Sequence, residues 1–270
     1  MIFERKKFFD LTAYRLGRFY SATNLAVYFF SLPNIYIDSA QSSMQKKFKE
    51  IAVKDKPEFC LLTHYHEDHA GNAPLLKSLF KTKIVAHKKS AKYLKKQFKM
   101  LPYEKIIWGR LQQFEPDLYY DKENFDAKGH KFKIINTPGH SEDSVCILDT
   151  DRGWLFSGDL YISSKPKYLR TDENIYEILK SLKIVSKLEF EVLFCAHKGI
   201  LEKSPKKLIN AKIEYMETMI YNVKKLYKEG FSPKKIRDIL LGREGLTSYL
   251  TYLDFCKMNF ISSILKDEQN

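Results

Sequence analysis

The sequence lacks most of the marks of the simpler protein classes. Its four cysteines (Cys60, Cys146, Cys195 and Cys256) lie far apart and form no Cys-x-x-Cys pair, which excludes a zinc knuckle and a dithiol redox motif. Cys60, Cys146 and Cys195 sit inside apolar, strand-like runs, where a free thiol acts as a small hydrophobe. Reduced core thiols point to the cytoplasm. The longest apolar run, Leu25 to Leu32, falls far short of the ~20 residues that a spanning helix needs. The start, Met1 to Lys7, is charged and has no apolar stretch or cleavage site behind it. No membrane partner is therefore expected. There is no internal repeat, no low-complexity segment, and no Gly-x-Ser-x-Gly elbow to present a serine nucleophile.

Acidic residues are outnumbered, 33 against 46 Lys and Arg, for a net charge of +13. Such an excess fits nucleic acid, a membrane surface or anionic metabolites as partners. The lysines are spread along the whole chain, however, and a generally lysine-rich composition explains them as well. What is present in quantity is core: 44% hydrophobic and 14% aromatic residues over 270 positions, enough for one large domain or a main domain with an appendage.

Patterning gives a strand-rich body followed by a helical tail. Thr23 to Phe30 and Ile35 to Asp38 read as strands joined by a turn at Pro33-Asn34. Lys46 to Lys54 reads as a basic helix, Glu58 to Thr63 as a strand, and Ala70 to Phe80 as a helix with Leu75, Leu76 and Leu79 on one side. Ile84 to His87 is a further strand, with a lysine-rich helical stretch from Lys88 to Phe98 behind it. Ile106 to Lys128, broken by Pro116, shows no clear period. Lys131 to Asn136, Val145 to Leu148 and Trp154 to Phe156 read as strands, the last two joined at Asp151-Arg152-Gly153. Thr171 or Asp172 is the expected cap of a helix bearing Ile175, Ile178, Leu179, Leu182 and Val185, and Phe190 to Cys195 is a buried strand. Beyond Pro205, Ile209, Ile213, Met216, Ile220, Val223 and Tyr227 form one apolar stripe closed by Gly230. Ser232-Pro233 starts a short helix, and Leu246 to Leu265 reads as one last amphipathic helix. The expected division is a catalytic domain, 1–203, and a helical segment, 204–270.

One stretch stands apart: Thr63-His64-Tyr65-His66-Glu67-Asp68-His69-Ala70-Gly71-Asn72. It follows an apolar strand directly, and a loop after a strand has its direction fixed by the strand. Imidazole nitrogens and carboxylate oxygens suit zinc and, with less selectivity, iron or manganese. Further residues of the same type recur just past strand-like runs: His140 in Thr137-Pro138-Gly139-His140-Ser141, Asp159 in Ser157-Gly158-Asp159, and His197 in Ala196-His197-Lys198-Gly199. Singly each reads equally as a turn residue. Together, in this order, they read as a ligand set. Asp38, at a strand end, is either a turn aspartate or a partner behind a ligand. His87 reads as structural and His130, at the far end of its strand, as a surface residue.

This ordered set resembles the metallo-β-lactamase superfamily over roughly residues 24 to 199. The resemblance implies an α+β fold, an αββα four-layer sandwich with a C-terminal helical appendage, and a dinuclear metal centre at one edge. By it, His64, His66 and His140 hold one metal, Asp68, His69 and His197 the other, and Asp159 bridges them. The expected cofactors are two divalent ions, zinc first and iron or manganese as alternatives. Asp38 takes the place of the family's acidic residue at the end of an early strand, although Ser39-Ala40 follows it where Thr-Gly is usual. Two cations about 3.5–4 Å apart can share one hydroxide and clamp a substrate's oxygens. Metal binding brings the pKa of water down to about 7, and Asp68 is the catalytic candidate that orients the hydroxide or accepts its proton. His66 stands where the oxygen-reducing di-iron relatives carry glutamate, which favours hydrolysis.

The implied activity is hydrolysis of an ester, thioester or lactone, in a branch similar to glyoxalase II. Phe194 to Gly199 lacks the tyrosine-bearing sequence that follows the last histidine of glyoxalase II, which argues against a glutathione thioester. A phosphodiesterase or nuclease acting on an anionic substrate is the alternative, and a non-catalytic metal-bound sensor the third reading. The short interval from Asp159 to His197 excludes the large inserted domain of RNA-processing relatives. Tyr161, Arg170 and Lys198 are the candidates for substrate contact. A small-molecule substrate is expected, nucleic acid stays open as a partner, and the sequence sets no oligomeric state.

Overall fold

The computed structural model describes residues 1–19, 25–96, 100–120 and 123–266. Thr23 and Asn24, at the start of one expected strand, and Phe98, at the end of one expected helix, lie outside them. The chain divides into two units that interleave in sequence: 1–136, 142–159 and 189–205 form the first, and 137–141, 160–188 and 206–270 the second.

The first unit is built on two sheets. In one, β1 (Ile2–Phe8), β2 (Leu11–Gly17), β3 (Ala26–Leu32), β4 (Ile35–Ile37), β5 (Phe59–Leu61), β6 (Lys83–Ala86) and β7 (Leu118–Tyr119) are neighbours in chain order. The strands from β1 to β4 are antiparallel and take short connections. From β4 to β7 they are parallel, and parallel neighbours need crossovers. These carry the helices α1 (Gln45–Asp55), α2 (Glu67–Ala70), α3 (Ala73–Phe80), α4 (Ala91–Leu94) and α5 (Pro102–Ile107). The second sheet holds β8 (Asn124–Ala127), β9 (His130–Asn136), β10 (Val145–Asp149) and β11 (Trp154–Phe156) as successive antiparallel neighbours. The chain then leaves through β12 (Leu169–Arg170) and α6 (Ile175–Val185) of the second unit. It returns as β13 (Val192–Cys195), parallel to β11, and turns back as β14 (Gly199–Leu201).

Alternation along the strands decides what each face packs against, because successive side chains point to opposite sides. Phe30, Ile37, Leu61 and Val85 join Phe132, Ile147, Phe156 and Phe194 in a core between the two sheets. Their immediate neighbours Phe29, Tyr36, Cys60 and Ile84 face the other way, onto Phe48, Ile51 and Ala52 of α1 and Ala73 and Leu76 of α3. A sheet covered on both faces needs near-continuous apolar strands, which is why Ala26–Leu32 reads as an unbroken run. Phe156 stacks on Phe194 with ring centroids 4.7 Å apart, and Phe30 lies 5.4 Å from each. Leu79 does not share the stripe expected of it and is exposed at the end of α3. The four cysteines are free, buried thiols.

His130 is a correction to the sequence reading. Far from being a surface residue, it is 4% exposed, with Nδ1 2.8 Å from Asp149 Oδ2. Arg152 donates to the same carboxylate at 3.2 Å and to Asp10 at 2.9 Å. Spacing along one strand cannot show that a turn residue 22 positions later closes over it. β1, by contrast, pairs only with β2 among the described residues, and Phe3 to Lys7 face water.

The second unit adds α7 (Pro205–Lys228), α8 (Pro233–Leu240), α9 (Leu246–Leu250), β15 (Phe255–Cys256) and α10 (Lys257–Leu265) to α6 and β12. Gly230, at φ 86°, takes the left-handed conformation just past the end of α7, and Ser232 Oγ accepts from Lys235 N–H at the start of α8. Two expectations change. Asn174, not Thr171 or Asp172, caps α6: its Oδ1 accepts from the N–H groups of Tyr176 and Glu177 at 3.0 and 3.1 Å. The single helix expected from Leu246 to Leu265 is broken. Tyr252 and Leu253 adopt φ of 55° and 61°, and Phe255–Cys256 pairs with Leu169–Arg170 as strand. Pairing with a distant strand overrides local helix propensity there. No described helix is long and apolar enough to cross a membrane.

Candidate metal centre

The site in the first unit grows out of strand ends. β4 delivers Asp38, whose φ of 62° is a conformation that aspartate tolerates better than most residues. β5 delivers Thr63 opposite it. Thr63 N–H donates to Asp38 Oδ1 at 2.8 Å and its hydroxyl lies 2.9 Å from Oδ2. The same Oδ2 lies 2.8 Å from His69 Nδ1, so the carboxylate locks that imidazole and turns Nε2 toward the other donors. Ser39 Oγ donates to the His69 carbonyl at 2.8 Å. Asn72 Nδ2 donates to the carbonyls of Ser39, Ala40 and Gln41 at 2.8, 3.2 and 3.0 Å. These bonds fix α2, and with it Asp68 and His69, against the end of β4. Ser39-Ala40 thus does positional work here without the usual Thr-Gly.

The remaining donors converge on the same place. His64 Nε2 and His66 Nδ1 approach to 3.0 Å. β11 delivers Asp159 through Gly158, whose φ is 48°; a Cβ there would lie 2.8 Å from Thr63 Oγ1. Only glycine lets the Asp159 turn sit this close to Thr63. Asp159 Oδ1 is 3.4 Å from His69 Nε2 and 3.2 Å from Nε2 of His197, which follows β13. Asp68 completes the group, 3.9 Å from both of those nitrogens. Ligand atoms of His64, His69 and Asp159, and likewise of Asp68, His69 and His197, lie within 4.8 Å of one another. All six side chains are buried, none more than 9% exposed.

Burial of this much charge has consequences. Desolvation alone would lower the pKa of His69, but Asp38, Asp159 and Asp68 outweigh it and hold the ring well above its usual value. Desolvation would raise Asp159, yet His197 and His69 outweigh it and hold the carboxyl well below the usual range. Three carboxylates, Asp38, Asp68 and Asp159, thus act on the His69 ring, and a bound cation would take over the charge that the ring's proton supplies. His69 Nε2 makes no hydrogen bond of good geometry among the described residues, although Asp159 Oδ1 lies 3.4 Å away; a buried donor left unsatisfied costs about 1–3 kcal/mol. A divalent cation removes that cost, and the nitrogen and oxygen donors fit zinc, iron or manganese. The residues present fit the group.

His140 belongs to the second unit, in the turn 137–141. Gly139, at φ 133°, lies so close to α6 that a Cβ would meet Ile178 N at 2.4 Å, and its carbonyl accepts Asn174 N–H at 2.9 Å. His140 Nδ1 lies 2.6 Å from Glu173 Oε1. Sequence reasoning missed Glu173, because a residue 33 positions away in a loop offers no periodic or motif signal. Tyr161 is buried in the second unit, and Arg170 Nε lies 3.7 Å from Asp172 and Asp254. Lys198 is exposed. His87 Nδ1 accepts from Lys89 N–H at 3.1 Å, the structural role expected of it.

The chain has recognisable relatives among known proteins. Residues 54–197 match the family model of the metallo-beta-lactamase superfamily. The chain is 29% identical over 198 residues to the metallo-beta-lactamase fold-containing protein ST1585 of Sulfurisphaera tokodaii, covering 64% of this chain and 70% of that one. It is 26% identical over 152 residues to the atrochrysone carboxyl ACP thioesterase of Passalora fulva, covering 55% of this chain and 39% of the relative. Among solved structures, a metallo-beta-lactamase family protein from Thermus thermophilus superposes with a TM-score of 0.70 at 15% identity, over 96% of this chain and 94% of the other. At that identity the likeness speaks for the fold alone.

Proposed function

This chain belongs to the metallo-beta-lactamase superfamily, and from that premise we propose that it is a dinuclear metal-dependent hydrolase of a thioester, ester or lactone. The observation that carries the reading is the buried cluster of His64, His66, Asp68, His69, Asp159 and His197, a donor set of the right chemistry with no other evident use. In this reading His64, His66 and His140 would hold one cation, Asp68, His69 and His197 would hold the other, and Asp159 would contribute to both. Zinc is the proposed metal. Two such cations supply water activation near neutral pH and polarisation of a substrate oxygen.

The protein's own groups do the rest. Asp38, held by Thr63, keeps His69 in the tautomer that presents Nε2. Asp68, within 3.9 Å of both His69 and His197, is placed to accept the proton released from the attacking water and to pass it to the leaving group. Tyr161, Arg170 and Lys198 are proposed to meet the substrate. The thioester preference draws support from the thioesterase relative, although the chain spans only 39% of that protein's length. Residues 1–203 are taken as the catalytic domain and 204–270 as a helical segment. The buried free thiols suit a reducing compartment such as the cytoplasm.

The test is turnover by metal-replete protein on a panel of acyl thioesters, aryl esters and lactones. Hydrolysis is expected, with loss on chelation, recovery on adding zinc, and loss in His64→Ala. Activity that survives either chelation or His64→Ala overturns the reading.

A further inference from the structure

Glu173 is 8% exposed at its side chain and gathers three parts of the second unit. Its Oε1 lies 2.6 Å from His140 Nδ1, and its Oε2 accepts the backbone N–H of Arg170 at 2.7 Å. Its carbonyl accepts from Ser263 Oγ at 3.3 Å, and that same hydroxyl accepts the N–H of Ile175, the first residue of α6, at 3.0 Å. Ser263 belongs to α10, the last described helix. Arg170 is in turn tied to the C-terminal segment by its pairing with Phe255.

A buried carboxylate is costly unless its partners need it. An amide or a hydroxyl would serve Arg170 N–H as well, since one acceptor is enough. The group that calls for a carboxylate is the imidazole. A carboxylate accepting from Nδ1–H fixes the ring's rotation and tautomer and leaves Nε2 as the nitrogen with which His140 can bind a cation. We propose that Glu173 is a positioning residue for His140, anchored from α10, so that α10 sets how firmly His140 holds a cation. This rests on the reading of His140 as a ligand.

Glu173→Gln tests it with little change of shape. The amide has one acceptor for two facing donors, so either His140 or Arg170 loses its partner. Zinc is titrated into metal-free protein against a chromophoric chelator, and cobalt is substituted to read the ligand field. Wild type is expected to bind two zinc ions. In Glu173→Gln and Glu173→Ala one of the two weakens by about 10–100-fold, with an altered cobalt spectrum, while the other keeps its affinity. Glu173→Asp, which keeps the charge, recovers part of the loss. Ser263→Ala shifts the same constant in the same direction by less. Unfolding of the metal-free variants is measured alongside, and Glu173→Gln decides the question if Glu173→Ala does not fold. Two ions bound with wild-type constants and an unchanged cobalt spectrum in Glu173→Gln overturn the inference and leave the hydrolase reading standing. Wild-type protein that takes up no metal overturns both.

Discussion

Replacing Asp38 with asparagine isolates what one buried carboxylate contributes to the centre. Asparagine has the same size and tolerates the φ of 62° at this position, so the backbone has no reason to move. The carboxylate is 2% exposed and faces Thr63 N–H and His69 Nδ1, each at 2.8 Å. Both are donors, and the amide offers one oxygen between them. If its NH₂ turns to His69, the ring must accept at Nδ1, which moves the proton to Nε2 and blocks the nitrogen proposed to coordinate. If it turns to Thr63, two donors confront each other in a buried place, at about 1–3 kcal/mol. At about 1.4 kcal/mol per factor of ten, that is roughly 5- to 150-fold in zinc affinity, and partners of this kind are worth about 10–100-fold in other metal sites. The assay is competition for zinc against a chromophoric chelator at neutral pH, with thermal unfolding of the metal-free protein in parallel. A folded Asp38→Asn protein that binds zinc within about twofold of wild type, well below that range, would refute the reasoning.

Two further outcomes follow from the rest of the fold. Burial would raise the Asp149 carboxyl, but its bond to His130 and the charges of His130 and Arg152 outweigh this and hold it below its usual value. Its contribution is therefore present above the unfolded value of about 3.9 and is lost as pH falls through the lower folded value. Urea unfolding should show wild type losing stability below about pH 4 more steeply than Asp149→Asn; parallel curves would mean the cluster holds no stability. Phe156→Ala, at a fully buried position between Phe30 and Phe194, is expected to cost about 3–5 kcal/mol in denaturant titration. A loss under about 1 kcal/mol would show that the sheets do not depend on it.

The legible part of this chain was whatever repeats locally or carries unusual chemistry. Ile35–Ile37, Phe59–Leu61 and Val192–Cys195 announced themselves as apolar runs, whereas Leu118–Tyr119 and Asn124–Ala127 lie in the stretch without a clear period; His64 to His69 stood out as a crowd of ligands. The first long hairpin was less legible because the middle of β1 is the charged run Glu4-Arg5-Lys6-Lys7. Leu246 to Leu265 misled for the opposite reason: its apolar spacing is helical, and only pairing with Leu169–Arg170 breaks it. The partners behind the site divide the same way. Asp38 was visible because it ends a strand, whereas Glu173 and the Asp149–Arg152 cover over His130 depend on contacts that no window of sequence contains.

The exposed strand β1 bears on how this protein behaves in a crowded solution. A sheet edge with a free row of backbone amides and carbonyls is adhesive, and a second copy can add to it as another strand. Here that margin is Phe3-Glu4-Arg5-Lys6-Lys7, all facing water. Two copies meeting edge to edge would bring their lysines and arginines together and strip them of hydration. Part of the +13 excess thus lies where it opposes such a contact. Neutralising Lys6 and Lys7 is therefore expected to raise self-association in light scattering.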